Sequence, residues 1–256
     1  MSQHRSLADR LMQHLRPRPV PGFAPPACEL DRGIWTLERQ LRMPGGPVLP
    51  SRTTILRLAS GGLVVISPPA RIAEDGADDL DAIGEVRYVV APNSFHYVYC
   101  AEFLRRYPRA SLLVTPGLSQ RVPSLPEAIE LGPRAPEEWN GQIEVAVLGP
   151  LRGLSETAFF HCESGSLILT DVAFHMTRFA RGFDRVAWRL SGVPAGFGPS
   201  RTARTLLLTD RTQVAAFLER LLAWPLRRIV VAHGEVIAED AGARLRDAFH
   251  TYLAGG

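Results

Sequence analysis

The sequence predicts an α/β sandwich, in which helices cover β-sheets that pack face to face. Two observations support this class. Strand-like segments in the first part of the chain follow one another as in a meander, whereas the later strands alternate with helical patterns. That mixture favours packed mixed layers over a single doubly wound parallel sheet. Apolar residues make up 46% and charged residues 21% of the 256 residues, which is typical of a globular protein.

Residues 1–32 are predicted to precede the main domain as a short helix and a linker. Residues 3–15 place their apolar side chains on one helical face, which predicts a short amphipathic helix. Packing on the domain and contact with a membrane surface are both open for this helix. The proline-rich stretch RPRPVPGFAPPA that follows is typical of an extended linker. Residues 33–256 are predicted to form one domain, since no repeat or composition break divides them.

Charge and cysteine content exclude several classes of partner and site. The formal net charge of +3 arises within residues 1–20, which contain four arginines and one aspartate. The remainder is balanced, so no nucleic-acid partner is expected. No apolar run is long enough for a transmembrane segment. The three scattered cysteines form no disulfide framework and no paired-cysteine zinc motif, which favours a cytoplasmic location.

The main domain contains nine segments rich in β-branched and apolar residues. The predicted strands, in chain order, are residues 34–37, 53–58, 63–67, 86–91, 112–115, 143–148, 157–162, 166–170 and 229–232. The sequence ASGG between the second and third predicts a hairpin turn. A short acidic helix is predicted at residues 73–83, and helical patterns predict further helices at residues 97–107, 212–223 and 238–252.

Three residues of the metal-ligand type follow predicted strands. His96 comes after the strand at 86–91, Asp171 closes SLILTD, and His233 closes RIVVAHG. Because α/β folds collect their sites at the carboxyl ends of strands, these side chains are candidates for one site. Two histidines and one carboxylate suit zinc, iron or manganese. The alternative for each is structural: a hydrogen-bonded histidine, or an aspartate that caps a helix.

Several further residues could complete such a site. His161 and Cys162 are adjacent on a predicted strand, so only one of them can face it. His175 lies four residues after Asp171 and could turn back towards it. Glu235 is predicted at the N-terminus of the last helix, where an acidic residue is favourable. Glu156 is a carboxylate close in sequence to the site positions, and its role is open. Three arginines either hold an anion at a pocket mouth or are solvated on the surface: Arg201, Arg204 and Arg211.

The segments VVAPNSFH, GLSETAFFHCESGSLILTD and VVAHG, in this order, resemble the metallo-β-lactamase fold. The resemblance is to a branch described only as a domain of unknown function, and it covers residues 33–250. RTTILRLASGGLVVISPP is similar to the N-terminal hairpin of that branch. The resemblance implies a four-layer αββα sandwich of two mixed sheets.

The family signature is H-x-H-x-D-H after a strand, then a histidine, a bridging aspartate and a final histidine. In order, the resemblance places these positions at Ala91, Asn93, Phe95, His96, a residue near Gly153, Asp171 and His233. The altered positions at 91, 93 and 153 belong to one metal of the family's pair, although an asparagine at 93 could still offer an oxygen. Phe95 replaces the carboxylate that orients the attacking water. The resemblance therefore implies at most one divalent metal, held by His96, Asp171 and His233.

Two functional classes follow from this pattern. The first is a metal-dependent, hydrolase-like enzyme with one zinc, iron or manganese ion that acts on an ester, lactone, thioester or phosphoester. The second is a non-catalytic protein of the same fold that binds a small molecule or a partner, with or without a metal. The retained ligands favour the first class, and the missing water-orienting carboxylate favours the second. Neither the substrate, the oligomeric state nor a catalytic residue follows from the sequence.

Overall fold

The computed structural model describes residues 17–72 and 77–254. The strands are β1 (Arg18–Pro19), β2 (Cys28–Asp31), β3 (Ile34–Arg42), β4 (Val48–Arg57), β5 (Gly62–Ile66), β6 (Glu85–Ala91), β7 (Ser111–Val114), β8 (Ala128–Glu130), β9 (Ile143–Leu151), β10 (Leu154–His161), β11 (Ser166–Leu169) and β12 (Arg228–Val231). The helices are α1 (Ala77–Ile83), α2 (Cys100–Arg106), α3 (Leu118–Arg121), α4 (Gly182–Leu190), α5 (Arg201–Leu206), α6 (Arg211–Leu222) and α7 (Ala241–Leu253), with a 3-10 turn at Glu137–Trp139. The helix predicted at 3–15 and the start of the one at 73–83 lie outside the described residues.

The strands form two sheets, and both sheets are mixed. The first has the order β1-β3-β4-β5-β6-β7-β8, with β2 paired to β3. Its strands are antiparallel from β3 to β5 and parallel from β5 to β8. The second has the order β12-β11-β10-β9, in which only β11 and β12 are parallel. The predicted pair of mixed sheets is therefore confirmed.

Alternation along the central strands explains why the sheets are layered. Successive side chains of a strand point to opposite faces, so an uninterrupted apolar strand must be covered on both sides. In β5, Leu63 and Val65 pack with Leu80 of α1 and Phe103 of α2. The intervening Val64 and Ile66 belong to a second cluster between the sheets.

The second sheet repeats this arrangement. Val230 of β12 faces the cluster between the sheets, where it joins Phe159 of β10. Ile229 and Val231 face outward and pack with residues of α6 and α7, including Leu218. Helices therefore cover the outer face of each sheet, which confirms the four-layer αββα sandwich.

Some elements differ from the sequence prediction. Parts of the segment predicted as a linker form β1 and β2, which pair with β3 at the edge of the first sheet. Proline is tolerated there because an edge strand leaves one row of N–H groups unpaired. Helices α4 and α5 were not predicted. Within the described residues, none of the helices has the length and apolar character needed to span a bilayer.

Candidate metal centre

Three strand ends meet at one edge of the sandwich and carry the predicted ligand residues. β11 ends two residues before Asp171, and its parallel neighbour β12 ends two residues before His233. β6, in the other sheet, ends at Ala91, and the turn after it carries His96. The edge thus joins the carboxyl ends of strands from both sheets.

His96, Asp171 and His233, called the trio below, converge on one point. The two Nε2 atoms of the histidines lie 3.1 Å apart. Nε2 of His96 lies 3.4 Å from Oδ2 of Asp171, and Nε2 of His233 lies 3.3 Å from Oδ1. All three ligand atoms lie within 4.8 Å of one another. Ligands of a tetrahedral ion with bonds of about 2.0–2.1 Å lie about 3.3–3.4 Å apart, so these distances fit one small cation.

The outer nitrogen of each imidazole has a hydrogen-bond partner that orients the ring. Nδ1 of His233 lies 2.7 Å from the carbonyl oxygen of Pro50, which can only accept, so this nitrogen carries the hydrogen. Nδ1 of His96 lies 2.5 Å from Oγ of Ser67. Ser67 adopts a positive φ of 58° directly after β5, a backbone conformation that non-glycine residues rarely adopt. Such partners are the usual way in which ligand histidines are held.

The charge state of Asp171 agrees with a cation site. Burial opposes its ionisation, but the attraction and hydrogen bonds of His96 and His233 outweigh burial and hold the pKa of Asp171 well below its usual range. A carboxylate that is held ionised and has two imidazole nitrogens 3.3–3.4 Å from its oxygens is a suitable ligand for a bound cation.

A second polar group lies beneath the trio, formed by Asn93, Glu156 and the backbone N–H groups of residues 170–172. We call it the polar support. The Glu156 carboxylate is fully buried and accepts from N–H of Thr170 at 2.9 Å, Asp171 at 2.9 Å and Val172 at 3.0 Å. Burial, together with the charge of Asp171, raises the pKa of Glu156 to about 7. These bonds fix the backbone that carries Asp171.

Asn93 connects the polar support to the trio. Its amide nitrogen donates to Oδ2 of Asp171 at 2.7 Å and also lies 3.0 Å from Thr170 and 3.3 Å from Glu156. Its oxygen accepts from the N–H groups of Phe95 and His96 at 2.8 and 2.7 Å. The interpretation of Asn93 as an oxygen donor to a metal is therefore wrong, because the turn's own backbone occupies that oxygen.

The trio forms the polar end of an apolar chamber of about 280 Å³. Its wall includes Leu41, Met43, Leu49, Phe174 and Trp188. Phe95 also lines it, with 39% of its surface exposed and its ring 6.0 Å from the Arg121 guanidinium. Among the described residues of the lining, Asp171 is the only acidic residue and no arginine is present. The chamber suits an uncharged, largely apolar molecule with one polar group at the trio.

The other histidine and cysteine candidates lie outside the trio. His161 is buried and bonds through Nδ1 to Ser164, at the far end of β10. Cys162 is half-buried next to it. Nδ1 of His175 lies 2.9 Å from the carbonyl oxygen of Glu235, and its ring packs edge-on against Phe197. Within the described ranges, the ligand cluster consists of the trio alone.

The prediction that Glu235 opens the last helix is wrong, since α7 begins at Ala241. Its carboxylate instead accepts from N–H and Oγ1 of Thr177 at 3.0 and 2.6 Å. Gly234, with a φ of 110°, allows the backbone after His233 to lie against the backbone at His175. A Cβ at position 234 would lie 2.0 Å from the carbonyl oxygen of His175, so only glycine fits there. The segments at 175–177 and 233–235 are therefore paired, and this pairing holds the His233 turn.

The three arginines proposed at the pocket mouth point elsewhere. Arg201 donates to the carbonyl of Leu190, and Arg204 to that of Pro199. Arg211 bonds to the carbonyl of Thr251 and lies over the Tyr252 ring. None of the three lines the chamber in the described part of the chain.

Sequence reasoning missed the roles of Ser67, Pro50 and Asn93. Asparagine in a Pro-Asn-Ser turn commonly accepts from backbone N–H groups two and three residues on, and this signal could have identified the Asn93 turn. No local signal marks Pro50 or Ser67, because both reach the trio from other strands.

Comparison with solved structures places the same fold in two groups of proteins. The metallo-β-lactamase FIM-1 from Pseudomonas aeruginosa, in its mono-zinc form, is 12% identical with a TM-score of 0.59, over 90% of this chain and 95% of that chain. A metal-soaked Flv1 flavodiiron core from Synechocystis sp. PCC6803 is 10% identical with a TM-score of 0.62, over 93% of this chain. A flavoprotein from Thermotoga maritima is 11% identical with a TM-score of 0.63, over 93% of this chain and 62% of that chain.

The chain spans 61% of the length of the Synechocystis flavodiiron core. At these identities the likeness shows the metallo-β-lactamase fold and nothing finer. No curated protein matches the sequence. The family described as Domain of unknown function (DUF4336) matches residues 31–181, more than half of the chain. The chain therefore belongs to the DUF4336 family, and its fold is that of the metallo-β-lactamases.

Proposed function

We propose that this protein is hydrolase-like and depends on one divalent metal ion, held by His96, Asp171 and His233 at the end of the apolar chamber. The observation that carries the proposal is the convergence of three ligand atoms at 3.1–3.4 Å. This spacing matches the separation of ligand atoms around one small cation.

Zinc, iron and manganese all suit a ligand set of two imidazoles and one carboxylate. When bound, such an ion supplies Lewis-acid polarisation of a substrate oxygen and a water of lowered pKa. The chain itself orients the two imidazoles through Pro50 and Ser67 and holds Asp171 through Asn93. The chamber wall excludes water from the substrate and binds its apolar part. An ester, lactone or thioester with an apolar substituent fits these properties.

Asn93 supports one ion rather than two. Its N–H₂ group donates to Oδ2 of Asp171 at 2.7 Å, and a donor at this position would repel a second cation rather than bind it. Ala91, which replaces another histidine of the family signature, is fully buried in the core of the first sheet. An amide donor and a methyl group at these positions are unsuited to hold a second metal.

A non-catalytic binding protein is the second candidate, and the composition of the chamber favours it. Within the described lining, no carboxylate other than Asp171 is present to act as a general base. A protein of this kind would bind the same apolar molecule without turnover.

Metal analysis of protein purified without chelators tests the proposal. We expect about one equivalent of metal in the natural protein and a loss of stoichiometric metal in His233→Ala, which removes one of three ligands. His250→Ala, which changes an exposed histidine on α7, is the matched control and should retain the metal. Absence of metal from the natural protein, with no binding of added zinc, iron or manganese, would refute the metal proposal.

Turnover distinguishes the two candidates. The metal-loaded protein is assayed against aryl and alkyl esters, lactones, thioesters and phosphoesters. Activity that His233→Ala abolishes and His250→Ala retains supports the hydrolase. Stoichiometric metal without turnover of any of these compounds, together with saturable binding of an apolar ester, would support the binding protein.

A further inference from the structure

Exposed apolar side chains are concentrated near the mouth of the chamber. Within the described residues, six large apolar side chains are exposed: Phe95, Ile129, Phe183, Val186, Leu190 and Leu206. Phe95 and Leu206 line the chamber itself. Phe183, Val186 and Leu190 belong to α4, whose Trp188 also lines the chamber. Ile129 on β8 is the exception.

Helix α4 has an apolar face that points away from the fold. Phe183, Val186 and Leu190 are three and four residues apart, so they form one stripe, with 57%, 55% and 73% of their surfaces exposed. The opposite side of the helix carries the buried Asp184 and the chamber residue Trp188. A surface helix normally turns its apolar stripe inward, so an outward stripe indicates an unfilled binding surface.

Arginines are numerous in the segment that contains this stripe. Residues 178–204 contain one acidic residue, Asp184, and six arginines: Arg178, Arg181, Arg185, Arg189, Arg201 and Arg204. Asp184 is buried and accepts from the Arg181 guanidinium, so it does not neutralise the others. Arg178 forms an ion pair with Glu235, with 4.0 Å between Nε and Oε1. All six except the half-buried Arg189 are exposed.

We propose that the outward face of α4, together with the chamber mouth, docks on an anionic lipid bilayer. A helix that lies in a membrane interface buries an apolar stripe among the acyl chains while flanking arginines contact the headgroups. The arginines also argue against a second copy of the chain as the occupant. A two-fold contact would place this basic face against itself, and like charges would repel.

The docking face lies beside the chamber mouth, so docking would affect how a ligand enters the chamber. Leu206 and Phe95 form part of both the chamber wall and the exposed apolar surface. In the docked orientation the chamber would open towards the acyl chains, so an apolar ligand could enter it without crossing water. The docking proposal is independent of metal binding by the trio, because it rests on other side chains.

Co-sedimentation of the full chain with vesicles tests the proposal. We expect binding to phosphatidylcholine vesicles that contain phosphatidylglycerol, weaker binding to phosphatidylcholine alone, and a decline of binding with added salt. Phe183→Ser combined with Leu190→Ser should weaken binding by about tenfold or more. Arg185→Glu should weaken it by at least about fivefold, since each surface arginine contributes roughly that factor.

Matched controls separate docking from general stickiness. Ile129→Ser removes an exposed apolar side chain of 60% exposure far from α4, and Arg244→Glu reverses an exposed arginine on α7. Both should bind vesicles like the natural protein. The proposal is overturned if the natural protein does not bind anionic vesicles, or if the controls lose binding as much as the α4 variants. It is also overturned if the natural protein binds no vesicles but forms a dimer in light scattering that Phe183→Ser with Leu190→Ser abolishes, because the occupant of this face would then be a second copy of the chain.

Discussion

The trio and the polar support are adjacent, and each contains one carboxylate, fully buried in Glu156 and half-buried in Asp171, but the two carboxylates face different neighbours. Glu156 accepts from three backbone N–H groups and lies near the Asn93 amide, so donors satisfy it within the fold. Asp171 accepts from the Asn93 amide at 2.7 Å and otherwise faces two imidazole nitrogens at 3.3–3.4 Å. Backbone donors therefore satisfy Glu156, whereas the main neighbours of Asp171 are two side chains of the metal-ligand type.

The largest effect should come from Glu156→Gln. Glutamine keeps the shape of the side chain but turns an N–H₂ group towards backbone donors, so at least one buried N–H loses its acceptor. We expect the free energy of unfolding to fall by about 2–4 kcal/mol, as measured by urea denaturation of metal-free protein.

Asp171→Asn is the matched comparison, measured at pH 8. An asparagine oxygen can accept from Asn93 while its nitrogen donates to His233. We therefore expect a change in unfolding free energy of less than about 1 kcal/mol in metal-free protein, and loss of metal binding. Equal destabilisation by both variants would contradict the distinction between the two carboxylates.

Asn93→Asp should have the next largest effect. Asn93 connects the polar support to the trio, and this substitution replaces its donor N–H₂ group by an oxygen while its accepting oxygen is kept. The substituted side chain still accepts from N–H of Phe95 and His96, but it brings a third carboxylate against Asp171 and Glu156. We expect a loss of about 2–3 kcal/mol in metal-free protein. Added divalent metal should raise its melting temperature more than that of the natural protein. Unchanged stability would show that the amide donor is dispensable.

Phe95→Asp adds an anionic group beside the trio and leaves the polar support unchanged. Phe95 lies in the turn that Asn93 organises and lines the chamber next to His96. We expect metal affinity to rise by about tenfold, the scale of a favourable charge contribution, as measured by competition with a chromophoric chelator. Phe95→Asn, which adds a polar group without charge, is the control and should have a smaller effect.

Ser67→Ala should have the smallest effect and act on the trio alone. It removes the hydroxyl at 2.5 Å from Nδ1 of His96 but leaves the ligand in place. We expect metal affinity to fall by up to about tenfold, as for other hydrogen-bond partners of ligand histidines. Stability of the metal-free protein should change little. A loss of stability as large as that of Glu156→Gln would assign Ser67 to the polar support instead.

Local sequence pattern predicted much of the fold. Of the candidate metal centre it predicted the trio, but not the residues that hold the trio in place. Apolar runs predicted the central strands, and β6, β11 and β12 lie within one residue of the predicted strands at 86–91, 166–170 and 229–232. Helix α4 was not predicted, although Phe183, Val186 and Leu190 have the spacing of one helical face. The division of the chain after residue 32 and the cytoplasmic location stay predictions.

The α/β sandwich class and the three ligand-type residues could be read from the sequence, because periodicity and strand ends are properties of neighbouring residues. The neighbours of each polar group could be read only from the folded chain. Asn93 meets Glu156 across 63 residues, and Pro50 meets His233 across 183. Such contacts depend on how the two sheets are positioned against each other, and no local pattern encodes that position. The physical reason is that a buried polar group acts through its partner, and these partners come from distant strands.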